Sequence, residues 1–134
     1  MPFIVAWLAS ALTFGLLDFL WLSRMFPRLY QPEIGSMLGD LRWGPALAFY
    51  VIYITGMQVF AVAPGIGTGK WTTALLMGAL LGMLCYATYD LTNQATLKLW
   101  SMKVTIFDIL WGGFATAMAS AAGAAAALAF ASRG

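Results

Sequence analysis

The sequence predicts an all-α fold, a polytopic membrane protein built as a four-transmembrane-helix bundle. Of its 134 residues, 62% are hydrophobic and only 9% are charged, and the mean hydropathy is +0.84. A soluble domain carries about 25% charged residues, so this composition excludes a soluble globular protein. A spanning helix needs about 20 apolar residues. The length therefore holds four such helices with short connections, and we expect a single membrane domain over residues 1–134.

The first apolar run predicts a helix over residues 3–23. It has no basic segment before it and is too long for the core of a signal peptide. We therefore expect it to remain in the mature protein as the first transmembrane helix. The run stops at Arg24, and the segment that follows mixes charges with Pro27 and Pro32, a pattern that predicts a loop.

Three further runs predict the other helices. The second helix covers residues 45–63, because Pro45 is tolerated in a first helical turn, where its missing N–H would have no partner. The PGIGTGK segment ends it. The third helix covers residues 71–93, and the basic connection QATLKLWSMK leads to the fourth, residues 104–131, whose alanine-rich second half favours a helix.

The basic residues predict the orientation. The first and third connections share one side of the membrane and hold Arg24, Arg28, Arg42, Lys98 and Lys103, whereas the other side holds Lys70 and Arg133. Cytoplasmic loops carry the excess of Lys and Arg in membrane proteins. We therefore expect the first set to be cytoplasmic and both termini to be periplasmic.

Three aspartates interrupt apolar runs: Asp18, Asp90 and Asp108. A carboxylate costs about 3 kcal/mol at the centre of a transmembrane helix, and it normally faces the bundle interior and a partner. In the predicted topology each acid lies within about 8 Å of the cytoplasmic end of its helix. The three acids are thus expected at similar depth in one leaflet.

Aromatic and amide side chains accompany these acids. Tyr86 and Asn93 share the helix face of Asp90 through i, i+4, i+7 spacing. A repeated D-x-L-W pattern places one tryptophan a turn beyond Asp18 and another beyond Asp108. We therefore predict a polar intramembrane site formed by Asp18, Asp90, Asn93, Asp108, Tyr86, Tyr50, Tyr53, Trp21 and Trp111.

Two structural alternatives concern the same helices. In the first alternative, the acids serve only as interhelical hydrogen-bond partners. Such contacts average about 0.6 kcal/mol, which offsets little of the cost of inserting a carboxylate into the membrane. The second alternative concerns small residues. Gly78 and Gly82 form a GxxxG pair, and Gly112 begins a small-residue stripe on the last helix. Such stripes let helices approach closely, within one chain or between two, so a homo-oligomer through Gly78, Gly82 and Gly112 stays open.

Four segments are distinctive: YATYDLTNQATLKLWS, DILWGG, LLDFLWL near the start and FYVIYITGMQVFAV in the second span. In these segments the chain resembles a family of bacterial predicted membrane proteins catalogued as domain of unknown function 2177. The resemblance covers nearly the whole chain and is weakest in the alanine-rich tail. The resemblance implies a small four-helix protein of the bacterial cytoplasmic (inner) membrane, and it implies no activity.

From the residues we predict that the acidic site binds or moves a cation or a polar or lipidic small ligand, with membrane lipid as a further partner. Carboxylate and hydroxyl oxygens suit hard cations such as Mg²⁺ or Ca²⁺. A lipid-modifying enzyme and an accessory subunit of a larger membrane complex remain alternatives. There is no histidine and a net charge of only +2, so the sequence identifies no catalytic residue, metal ligand set or cofactor, and we expect no nucleic-acid partner.

Overall fold

The computed structural model describes residues 1–133, with the side chain of Arg133, counted above among the basic residues, outside the described part. Within it, four helices are long and apolar enough to cross a membrane. They are α1 (Pro2–Met37), α2 (Trp43–Thr68), α3 (Trp71–Thr96) and α4 (Met102–Arg133). This confirms the prediction of an all-α fold with four membrane-spanning helices.

The predicted end of the first helix at Ser23, and the loop after it, are wrong. Helix α1 continues through a π-helical turn over Phe26–Tyr30, an α-helical turn over Gln31–Ile34 and a 3-10 turn over Gly35–Met37. Pro27 and Pro32 each stand among the first residues of one of these short segments. At such positions the missing N–H of proline costs least, so both prolines fit inside a helix that they were expected to end.

Helix α2 has the same kind of irregularity and also runs past its predicted end at Ala63. A π-helical turn over Gln58–Val62 precedes the final segment Ala63–Thr68, whose first residues include Pro64. The helix ends at Gly69, which has a φ of 70°. Glycine adopts this left-handed conformation without steric cost, which explains why the chain turns there into α3.

Helix α4 lies between α1 and α3 and contacts both extensively. Gly78 and Gly82 of α3 face Gly112, Thr116 and Ser120 of α4 so closely that a methyl group on either α3 glycine would overlap the opposite helix. We call these five residues the small-residue interface. Gly78, Gly82 and Gly112 are buried in it, so these glycines pack α3 against α4 within one chain.

The last part of α1 covers one end of the bundle. A helix as long as α1 extends about 54 Å at 1.5 Å per residue, well beyond a hydrocarbon core of about 30 Å. In this last part, Leu29 and Ile34 pack against Val104 at the start of α4, and Trp21 and Trp100 pack against the same cluster. We call this the acidic end, because Asp90 and Asp108 lie directly beneath the covering segment.

Candidate ligand-binding site

Asp90 of α3 and Asp108 of α4 lie side by side at the acidic end. The Asp90 side chain is fully buried and that of Asp108 is 8% exposed. Their carboxyl groups are within hydrogen-bonding reach of each other, but two ionised carboxylates have no proton to share. Both oxygens of Asp90 lack a hydrogen-bond donor. A buried charge without a partner is among the most costly arrangements in a protein, so this pair requires an added positive charge.

Helix α1 holds Asp108 from one side. The Tyr30 hydroxyl donates a hydrogen bond to Oδ1 of Asp108, and Nε1 of Trp21 donates to the Tyr30 oxygen at 2.9 Å. The Trp21 ring stacks on Trp111 of α4, with centroids 4.5 Å apart and planes 10° apart. One oxygen of Asp108 is thereby hydrogen-bonded, and the residue also lines the cavity described below.

Asp18 has a separate partner. The Tyr50 hydroxyl of α2 donates to Oδ2 of Asp18, while the Trp111 indole lies beside this carboxylate without forming a hydrogen bond to it. Asp18 is close enough to Asp108 for their charges to interact. The three acids therefore share one end of the bundle, as a pair and a single residue. Within the described residues, no group of three Asp, Glu or Cys side chains is placed to hold a metal ion.

A cavity of about 480 Å³ opens beside Asp108. Its lining residues come from α2, α3 and α4 and are Phe49, Tyr53, Cys85, Tyr86, Tyr89 and Asp108. The space exists because α2 touches α3 mainly through residues from Gln58 onward, so the first half of α2 stands away from it. Phe49 is 45% exposed and Tyr89 is 59% exposed, which marks the opening between these two helices.

The predicted tyrosines lie at this site in different roles. The Tyr53 hydroxyl is hydrogen-bonded to Oγ1 of Thr116 at 2.7 Å, and its ring meets that of Tyr86 edge to face at 6.3 Å. The Tyr86 ring lies directly over Gly112, where a Cβ would collide with it. Both rings are therefore fixed as cavity walls.

Asn93 does not support Asp90 as its spacing predicted. It lies beside the Tyr89 hydroxyl, and the Asp90 oxygens have no hydrogen-bond partner. The two side chains share a helix surface, but a partner of Asp90 would have to come from the opposite helix. Asn93 is therefore not a hydrogen-bond partner of Asp90, and its role in a ligand-binding site stays a prediction.

Sequence reasoning missed three polar residues around the pair. Tyr30 lies in the segment after Arg24 that was predicted to be a loop, because nothing in its local sequence shows that α1 continues. Thr105, 2% exposed, donates to Oε1 of Gln94 at 2.9 Å and accepts from Nε1 of Trp100 at 3.0 Å. These bonds tie the α3–α4 connection together next to Asp90. The polar Gln94 inside an amphipathic connection was the signal that could have found them.

The family model described as Predicted membrane protein (DUF2177) matches residues 3–125 of the chain. The match includes α1, α2, α3, most of α4 and every residue of the pair and the cavity. The description gives no activity or ligand. No curated protein matches the chain, and no solved structure matches it.

Proposed function

The chain belongs to this family of predicted multi-pass membrane proteins, and we propose that its Asp90–Asp108 pair binds a positively charged ligand inside the membrane. One observation carries the proposal: the fully buried Asp90 carboxylate has no donor on either oxygen and lies against a second carboxylate. Ionisable groups inside membrane segments are expensive and mark functional sites by default.

A purely structural role explains Asp18 but not Asp90. Interhelical hydrogen bonding requires a partner, and Asp18 has one in Tyr50. Asp90 has no donor in the described chain, and it can hydrogen-bond to Asp108 across α3 and α4 only after the pair has taken up a proton. This difference supports assigning Asp18 to helix packing and the pair to binding.

The compensating charge has to come from outside the chain. Arg24, Arg28, Arg42, Lys98 and Lys103 are exposed. A proton or a bound cation is therefore the available source, and the cavity that Asp108 lines provides the path to the pair.

The binding experiment compares the parent with Asp108→Asn and Asp90→Asn in lipid nanodiscs. Thermal unfolding is followed with KCl, MgCl₂ or dodecylamine hydrochloride added. We expect at least one of these cations to stabilise the parent, by about 2.7 kcal/mol at a hundred times its Kd, and to have no effect on Asp108→Asn. Asp40→Asn, which removes an exposed carboxylate, is the control and keeps the full response. A parent that no cation stabilises, or equal stabilisation of Asp108→Asn, would contradict the proposal.

We also propose that the pair lies in the cytoplasmic leaflet of the bacterial inner membrane, with both termini periplasmic, because of the five basic residues near that end. Gly67→Cys and Met102→Cys, each in a Cys85→Ser background, test this. The two cysteines are expected to react with an impermeant maleimide from opposite sides. Reaction of Met102→Cys from the periplasm would reverse the assignment.

A further inference from the structure

We infer that the ligand of the pair is an organic cation, an amine with an apolar body that enters from the bilayer between α2 and α3. This inference rests on the proposed function and specifies its ligand class. It is carried by the composition, size and opening of the cavity next to Asp108.

The cavity wall is aromatic, with a single carboxyl group among its described lining residues. The Phe49 and Tyr53 rings are 5.2 Å apart and nearly parallel, and Tyr86 meets Tyr53 at 6.3 Å with planes 70° apart. These rings and that of Tyr89 thus line one space together with Asp108. An ammonium group within about 6 Å of a ring centroid is attracted by the ring quadrupole, and more strongly when it is desolvated. Aromatic faces combined with a carboxylate form a binding site for an amine.

The size of the cavity favours an organic molecule over an inorganic ion. Its volume of about 480 Å³ is within the range of about 300–1,000 Å³ that is typical of small-molecule sites. A divalent metal ion needs several oxygen ligands in close convergence. Asp108 is the sole carboxylate that lines the space among the described residues, and phenyl and phenol rings with the Cys85 thiol supply the rest of the wall.

The opening indicates the route of entry. Phe49 and Tyr89, both substantially exposed, lie on the two helices that separate at the acidic end. The exposed surface of a transmembrane bundle at this depth faces lipid. A ligand that enters there must first partition into the bilayer, so it has an apolar body as well as its charge.

A larger groove provides an internal comparison. Its volume is about 1,020 Å³, it lies between α1 and α2, and apolar side chains such as Phe19 and Leu22 dominate its wall. Its carboxylate is the exposed Asp40. It offers no buried charge to an amine, so an acyl chain of any lipid suits it equally well. An amine that binds there would depend on Asp40 and not on Asp108.

Cys85 lines the cavity and supplies the readout. Methyl methanethiosulfonate transfers its methylthio group to the thiol and releases methanesulfinate, and intact-mass measurement follows the rate. In nanodiscs, dodecylamine at about ten times its Kd should slow this reaction about tenfold, because only free protein reacts. 1-Dodecanol, which has the same chain and no charge, should leave the rate unchanged. This comparison uses the parent protein alone and needs no variant to fold.

Two variants assign the effect to residues. Asp108→Asn should abolish the protection by dodecylamine, and Asp40→Asn should leave it intact. Equal protection by dodecanol, or loss of protection in Asp40→Asn only, would overturn the inference. The inference would also be overturned if dodecylamine gave no protection while KCl or MgCl₂ stabilised the parent through Asp108. That result would leave the proposed function standing. If no cation of any kind acts through Asp108, both fail.

Discussion

Helices α3 and α4 meet in two different ways along their length. At the small-residue interface, Gly78 and Gly82 bring the two backbones together without leaving room for a methyl group. One to two turns further along, Asp90 and Asp108 face each other beside a cavity. Close packing is what associates helices in lipid, since no hydrophobic effect acts between them. The bundle is therefore held by the first region, and the second is free to carry a charged site.

An unpartnered polar atom also occurs at the small-residue interface, where Oγ of Ser120 is buried without a partner. Burying a hydroxyl costs far less than burying a carboxylate, and a hydroxyl can rotate its proton towards nearby backbone oxygens. The difference between the two regions is thus one of charge. Four substitutions test it, and they are described in order of expected effect.

Gly82→Ala should have the largest effect on stability. Its Cβ would overlap the backbone of Gly112, so α3 and α4 would have to separate, and we expect a loss of about 3 kcal/mol, at the upper end for overpacking. Gly56→Ala is the matched control, because nothing lies within 4 Å of its Cβ position. Unfolding in nanodiscs with a chemical denaturant measures both. Equal stability of the two variants would show that the interface is not closely packed.

Tyr30→Phe should lower the free energy of unfolding by about 2 kcal/mol, because it leaves both Asp108 and the Trp21 indole without their hydrogen-bond partner. Tyr89→Phe, at a tyrosine that is 59% exposed, is the control and should change little. The same unfolding experiment applies. A neutral Tyr30→Phe would mean that the last part of α1 does not cover the acidic end.

Asp90→Asn should raise the free energy of unfolding by about 1 kcal/mol. The variant keeps the size of the side chain and removes an uncompensated buried charge, a kind of change that often stabilises a protein at the expense of function. Thermal unfolding of ligand-free protein measures it, with Asp40→Asn expected to match the parent. A clear destabilisation by Asp90→Asn would instead identify a structural partner for this carboxylate.

The smallest effect is expected for Ser120→Ala, within about 0.5 kcal/mol of the parent, because its hydroxyl has no partner to lose. Ser10→Ala should cost more, about 1 kcal/mol, because Oγ of Ser10 donates to the Ala119 carbonyl at 2.9 Å. Reversal of this order would show that Ser120 is hydrogen-bonded across the interface.

The helix count and the position of the acids along the bundle could be predicted from the sequence. Both depend on hydropathy and on distance from helix ends, which a single chain displays directly. The continuation of α1 could not, because Pro27 and Pro32 are ordinarily helix breakers and fit here only as early residues of two short helical segments, Phe26–Tyr30 and Gln31–Ile34. Tyr30 was consequently assigned to the wrong environment.

The pairing of the acids also escaped prediction. The sequence shows that Asp18, Asp90 and Asp108 lie at similar depth, but not which of them face each other. That depends on the rotation of each helix about its axis. In a membrane helix, apolar residues cover most faces, so the hydrophobic pattern defines this rotation poorly. The small-residue interface fixes the rotation of α3 and α4 instead, because the contact of Gly82 with Gly112 brings Asp90 next to Asp108.

The most direct test of the binding site is a structure of the protein in lipid with 12-bromododecylamine, in which anomalous scattering locates the bromine and the density locates the amine. We predict that the nitrogen lies within hydrogen-bonding distance of Asp108, among the rings of Tyr53, Tyr86 and Tyr89, with the chain leaving between α2 and α3. A nitrogen beside Asp40 in the larger groove, or an acidic end that stays empty at saturating amine, would contradict this account.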